Sequence, residues 1–202
     1  MLKLYDFLLS GNSYKVRLLL DQLGIPYQRI AVDILKGETR TPAFLAKNPN
    51  GRIPLLEITP GNYLAESNAI LFYLAKGSPL LPDDPQHQAQ VLQWLFFEQY
   101  SHEPYIATSR YWIALLGKER EYREELAKKR DPGYAALEVM DRHLAAQDFF
   151  VAERYTIADI CLYAYTHVAD EGGFDLSAFA HLLDQLVGTD QGTRAFGDDR
   201  CQ

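Results

Sequence analysis

Two short stretches of this chain carry side chains suited to holding an anion. They are Ser10-Gly11-Asn12-Ser13 and Glu66-Ser67, and each stands just ahead of an apolar helical pattern. A hydroxyl or amide donates to an anion, and a helix start adds unpaired N–H groups and the positive end of the dipole. Ser67 therefore suits a carboxylate, and Glu66 beside it suits an ammonium group. The same residues also read as plain helix caps. Capping and anion binding are compatible at one position, so both readings stand. The two cysteines, Cys161 and Cys201, form no CxxC pair. Two widely spaced thiols give neither a disulfide framework nor a zinc site, and a dithiol redox centre is missing.

Composition narrows the partners. The 202 residues are 48% hydrophobic and 23% charged, as in a soluble globular protein. A net charge of -7 argues against a general nucleic-acid or anionic-membrane binder, though not against a small basic cleft. The opening MLKLYDFLLSG has too short an apolar run for a signal peptide, and no run is long enough to span a bilayer. A cytoplasmic protein is expected, with no metal.

The elements that would position these residues follow from periodicity. Residues 2–6 alternate as a strand. A helix follows from Tyr14, with Val16, Leu19, Leu20 and Leu23 on one face and Gly24 at its end. Tyr27 to Val32 reads as a second strand, so the chain opens β-α-β with a right-handed crossover. A short helix spans Pro42 to Lys47, and Asn48-Pro49-Asn50-Gly51 is dense in turn residues. Ile53 to Ile58 and Tyr63 to Ala65 read as strands joined at Pro60-Gly61-Asn62. Ser67 then caps a helix with Ile70, Leu71 and Leu74 inward. Residues 1–77 thus form a β-α-β-α-β-β-α domain, and Pro- and Asp-rich 78–86 a linker. Residues 87–190 read as all-helical. Val91, Leu92, Leu95 and Phe96 share a face, Ile106 to Leu116 and Tyr134 to Leu144 form helices, and 118–130 is a solvated helix end or loop. Thr156 and Asp159 have capping-box spacing, and Tyr155 and Ile160 staple spacing. Residues 191–202 are polar and Gly-rich, as a disordered tail would be.

This order of elements, with Ile53-Pro54 opening a strand and Glu66-Ser67 following it, resembles the glutathione transferase family. The segments NPNGRIPLLE…YLAESNAILFYLA and YTIADICLYAY carry the likeness, which covers roughly residues 1–170. It implies an α/β thioredoxin-like N-terminal domain and an all-α C-terminal domain. It also implies that Pro54 is cis, letting Ile53 pair with the cysteinyl part of glutathione. Glu66 and Ser67 would bind the γ-glutamyl end, and Lys36 and Arg52 would neutralise the glycyl carboxylate. In the family an activating hydroxyl or thiol follows the first strand. Ser13, four residues before Arg17, resembles the Ser-x-x-Cys-Arg arrangement with Val16 for the Cys, and is the first candidate. Ser10-Gly-Asn12-Ser13-Tyr-Lys15 also resembles a Thr-Pro-Asn-Gly-x-Lys loop, in which Ser10 and Asn12 would face the sulfur. Tyr105, Arg110, Tyr111 and Trp112 would line the second-substrate pocket.

The activity implied is attack of a glutathione thiolate on a small electrophile, a detoxification chemistry, in a homodimer. Glutathione-dependent reduction of disulfides or peroxides is one alternative. A non-enzymatic interaction module is another. The Ser-Ser-Cys-Ser loop of isomerase-type members is not matched by Gly11-Asn12-Ser13-Tyr14. Ala180 stands where family members usually carry Pro, and the tail departs from their pattern. An open far wall of the second-substrate site is therefore expected.

Overall fold

The computed structural model describes residues 1–185. The expected tail over 191–202 and Cys201 lie outside the described residues. The chain divides into two compact units, Met1–Ser78 and Pro79 onward.

The first unit is a four-stranded sheet in the order β2-β1-β3-β4. Strands β1 (Leu2–Asp6) and β2 (Tyr27–Ala31) pair in parallel, joined by helix α1 (Gly11–Gln22). A four-residue helix α2 (Pro42–Leu45) leads to β3 (Leu55–Thr59) and β4 (Asn62–Ala65), both antiparallel to their neighbours. Helix α3 (Ser67–Ala75) closes the unit. Leu4, Val16, Leu20, Leu56 and Ile70 make one buried cluster, and Tyr5, Val32, Phe44 and Leu55 another. These are the apolar positions that alternate along the strands and recur along the helices.

Two boundaries differ from the sequence expectation. Helix α1 begins at Gly11, three residues earlier than its apolar face, because Ser10 caps it by accepting from the Ser13 N–H at 3.2 Å. Strand β3 begins at Leu55 rather than Ile53. Pro54 has no N–H for a ladder and so stands ahead of it. The Ile53–Pro54 bond is cis.

The second unit is helical. Helix α4 (Pro85–Phe97) runs through a π-turn, Glu98–His102, into α5 (Glu103–Arg110) and a second π-turn, Tyr111–Leu115. Helices α6 (Arg123–Leu144) and α7 (Ile157–Thr166) follow. Val91, Trp94 and Leu95 of α4 are buried, but Phe96 is 70% exposed and not part of the core face. Five residues on from Val91, it lies about 140° around the helix. The charged run 118–130 is a solvated helix end, as expected: from Arg123 it is the largely exposed start of α6, which passes straight through Pro132. Gly133 supplies the close approach there, since a Cβ would come within 2.4 Å of the Phe174 ring. No helix among the described residues is long and apolar enough to cross a membrane.

Candidate functional site

The sheet topology gathers several chain ends at one edge. Strand β1 runs out towards Ser10 and α1, and β4 runs out towards Ser67 and α3. Leu55 pairs with Tyr5 on one side and Ala65 on the other, so β3 starts where β1 and β4 finish. Continuing that register by one residue sets Pro54 across from Glu66. Two helix N-termini and the cis-proline loop therefore share one end of the first unit.

Side chains tie the two helix starts together. The Ser67 hydroxyl donates to Asn12 Oδ1 at 3.1 Å. The Lys15 ammonium donates to the same oxygen at 2.8 Å and reaches Asn68 Oδ1 at 3.5 Å. Lys15 is fully buried, and Ser67 nearly so. Glu66 precedes α3 with φ 68 and an exposed side chain. That left-handed backbone costs a non-glycine residue about 1–3 kcal/mol and clusters at ligand sites. It lets Ser67 open the helix, with Glu66 as N-cap; Ser67 is thus not the cap that the sequence predicts, and its hydroxyl turns to Asn12.

The three candidate activating residues fall in different surroundings. Ser10 is half-buried at the N-cap of α1. Its oxygen accepts the Ser13 N–H, which leaves its own proton to donate. Asn12 is half-buried in the first turn. Ser13 is fully buried, and its hydroxyl has no partner. A hydroxyl with no accessible surface offers no room for a sulfur atom. Arg17 pairs with the buried Asp6 at 2.6 Å and donates to the Leu8 carbonyl at 2.9 Å, fixing the strand exit that precedes Ser10. Tyr5 donates to Glu57 at 3.1 Å and accepts from Lys47 at 3.2 Å. Burial, then the Glu57 contacts, push its phenol up from the ordinary value.

The remaining predicted residues have contacts of their own. Lys36 is exposed and paired with Asp33 at 3.1 Å. Arg52 is exposed, and its carbonyl is held by Asn48 Nδ2 at 2.8 Å. Ile53 is half-buried outside the β3 ladder. In the second unit, Arg110 makes an ion pair with Glu171 at 2.6 Å. Trp112 stacks on Tyr122 with centroids 4.4 Å apart, and the Lys129 ammonium lies 5.2 Å from Trp112 and 5.7 Å from Tyr105. Tyr111 opens the second π-turn, half-buried. Sequence reasoning gave Lys15 and Asn68 no role. The signal for Lys15 is its place at the end of the Ser10–Lys15 loop pattern, four residues after Gly11 on the inward side of α1.

This sheet order with α1 and α3, followed by a helical unit, defines a thioredoxin-like domain joined to an all-α domain. The glutathione S-transferase N-terminal domain matches residues 1–76, and the glutathione S-transferase C-terminal domain residues 93–184. The chain belongs to the glutathione S-transferase family. It is similar to a crystallised glutathione S-transferase from Pseudomonas fluorescens, at 52% identity, 100% of this chain, 97% of that one and TM-score 0.90. The maleylacetoacetate isomerase of Rhizobium meliloti is 34% identical over 181 residues, 87% of this chain and 84% of that protein. A glutathione transferase family member from Pseudomonas fluorescens, solved with two glutathione molecules bound, covers 96% of this chain and 91% of its own at 27% identity and TM-score 0.83.

Proposed function

We propose that this chain is a glutathione transferase that holds glutathione as a thiolate for attack on a small electrophile. The carrying observation is the Asn12–Ser67 hydrogen bond, which joins two helix N-termini at the edge where β3 begins. The bound ends follow from charge. The backbone N–H groups that open α3 suit the γ-glutamyl carboxylate, and Glu66 suits its ammonium. Strand-like pairing of the cysteinyl part falls to Ile53 ahead of Pro54. Lys36 and Arg52 face the glycyl carboxylate, which requires Lys36 to leave Asp33.

A free thiol has a pKa near 8.5, and lowering it by about two units takes about 3 kcal/mol. One hydrogen bond to an anion contributes about 1.5–3 kcal/mol. The Ser10 hydroxyl and the Asn12 amide therefore suffice together, and we assign activation to them rather than to Ser13. Calorimetric titration with glutathione, with thiolate absorbance of each complex, tests this. Ser10→Ala is expected to bind glutathione but lose most of the thiolate. Ser13→Ala is expected to keep it, with stability unchanged or raised by about 1 kcal/mol, because a buried hydroxyl without a partner is removed. The reverse pattern returns the role to Ser13. No binding by the wild type overturns the enzyme reading in favour of an interaction module.

Tyr105, Arg110, Tyr111 and Trp112 remain the proposed second-substrate contacts. An anionic substrate there competes with Glu171 for Arg110. A second reading, favoured by the isomerase relative, is glutathione-dependent cis–trans isomerisation. The thiolate adds to a conjugated double bond, the bond rotates, and elimination returns glutathione. Glutathione that is required but not consumed distinguishes it from conjugation. We also propose a homodimer, with Phe96 and Tyr100, 70% and 84% exposed, among the residues covered. Sedimentation of the Phe96→Ser, Tyr100→Ser double variant is expected to show monomer where the wild type shows dimer. A dimer in both excludes these residues from the interface.

A further inference from the structure

We propose that Lys15 is a positioning residue that fixes which face the Asn12 amide presents to glutathione. The proposal rests on the glutathione reading above. An ammonium group has donors only. The Asn12 atom 2.8 Å from the Lys15 nitrogen is therefore the amide oxygen, and the flipped amide would set N–H against N–H. Oxygen and nitrogen of an amide are otherwise assigned only from their surroundings. Here the cation makes the assignment. The Ser67 hydroxyl, 3.1 Å from the same oxygen, is held to the donor role. Two consequences follow. The Asn12 NH₂ group points away from Lys15, so the residue meets an anion as a donor. The Ser67 oxygen, its proton directed at Asn12, meets the ligand as an acceptor, which leaves the carboxylate of the ligand to the backbone N–H groups that open α3.

Lys15 is built for this task. Four residues after Gly11, it lies about 40° around the helix from it, on the side turned towards α3. Its ammonium is fully buried between the starts of α1 and α3, where it reaches Asn12 and Asn68 together. A long side chain fixed in this way has few other positions, so the amide it holds is fixed as well. Without Lys15, Asn12 can rotate and turn its oxygen to the sulfur.

The test is a thermodynamic cycle on the bound thiol. The pKa of bound glutathione is read from thiolate absorbance across pH in wild type, Lys15→Met, Asn12→Ala and the double variant. Lys15→Met is expected to bind glutathione with little change in affinity at low pH, and to raise the bound thiol pKa by about one unit, a tenfold fall in the thiolate-to-thiol ratio. In the Asn12→Ala background the same substitution is expected to change nothing further, because there is no amide left to orient. Lys15→Arg, which keeps a donor-only cation, is expected to restore part of the shift. A purely structural Lys15 would lower the melting temperature without moving the bound thiol pKa, and that outcome overturns the proposal. Equal, additive shifts in both backgrounds overturn it too, by showing that Lys15 acts on the sulfur independently of Asn12. A wild type that binds glutathione with an unshifted thiol retains the ligand site and overturns the positioning role. A wild type that binds none overturns the glutathione reading itself.

Discussion

Replacing Asn12 by Asp is expected to remove the glutathione thiolate and lower kcat/KM by roughly a hundredfold or more while the fold stays intact. The substitution is close to isosteric. The oxygen that accepts from Lys15 and Ser67 is retained, so the tie between the α1 and α3 starts survives. What changes is the other atom of the group. On the proposed glutathione reading, an N–H donor becomes a carboxylate oxygen facing the thiolate. The Lys15 ammonium at 2.8 Å favours the ionised Asp, so protonation does not relieve the clash at neutral pH. Losing a donor to an anion costs about 1.5–3 kcal/mol. Repulsion between two unit charges adds to this, reduced by the nearby cation. A total of about 3 kcal/mol corresponds to a hundredfold in rate. The melting temperature is expected to hold or rise, because a neutral contact to a buried ammonium has become an ion pair. Absorbance of bound thiolate, kcat/KM and thermal unfolding check the three parts separately. A variant that keeps its thiolate shows that Asn12 does not face the sulfur.

The architecture was legible because it rests on patterns that survive local exceptions. Alternation in Leu2–Asp6, the apolar face of α1, and the turn residues at 48–51 and 60–62 each specify one element. Their order then leaves few topologies for a β-α-β start. The capping-box residues Thr156 and Asp159 also cap α7 as read. The boundaries were less legible. Ser-Gly-Asn-Ser has the composition of a loop, since each of these residues weakens a helix interior. Yet Gly11, Asn12 and Ser13 form the first turn of α1, because a first turn asks for polar groups. That shift of three residues puts the cap at Ser10 and places Ser13 inside the first turn, where it is buried. Likewise Pro132-Gly133 reads as a break but lies inside α6, where packing against Phe174 outweighs local propensity.

The connections inside the site were not legible at all. Ser67 and Asn12 are 55 residues apart, and nothing in their spacing says that they share a hydrogen bond. The link is a product of topology, since β1 and β4 finish at the same end of the sheet. A lysine at a polar helix start reads as a surface charge, and only the packing of α1 on α3 encloses Lys15. Arg110 shows the opposite case. Its place among the expected second-substrate residues gives no sign of an ion pair, while the 3₁₀ segment Ala169–Gly172 brings Glu171 to it from 61 residues away. The sequence thus indicates which residue types a site needs, and the long-range contacts decide what each can donate or accept.

In the second unit the largest expected effect is on stability, from Asp159→Ala. The Asp159 carboxylate is fully buried and accepts from the Phe150 N–H at 3.2 Å, the Thr156 N–H at 2.8 Å and the Thr156 hydroxyl at 3.0 Å. Removing it leaves two buried backbone donors unpaired and breaks the cap of α7, the helix whose residues are all buried. Each unpaired donor costs about 1–3 kcal/mol and a lost cap about 1 kcal/mol. A loss of about 3 kcal/mol at neutral pH is expected, read by denaturant unfolding. The pH dependence carries a second, sharper expectation. Burial pushes the Asp159 carboxyl up to about 6, against the pull of its donors. Between pH 4 and 6 the native state then holds a proton that the unfolded chain has released. Stability therefore falls as pH rises through this window, by at most about 3 kcal/mol for a shift of two units. Asp159→Ala lacks that slope, and the other carboxylates titrate alike in both proteins. The stability gap between wild type and variant is accordingly widest near pH 4 and narrows towards pH 6. A gap that widens with pH would mean that the donors outweigh the burial and hold the carboxyl below its ordinary value. In that case the carboxylate form, rather than the protonated acid, is what the fold of this unit prefers.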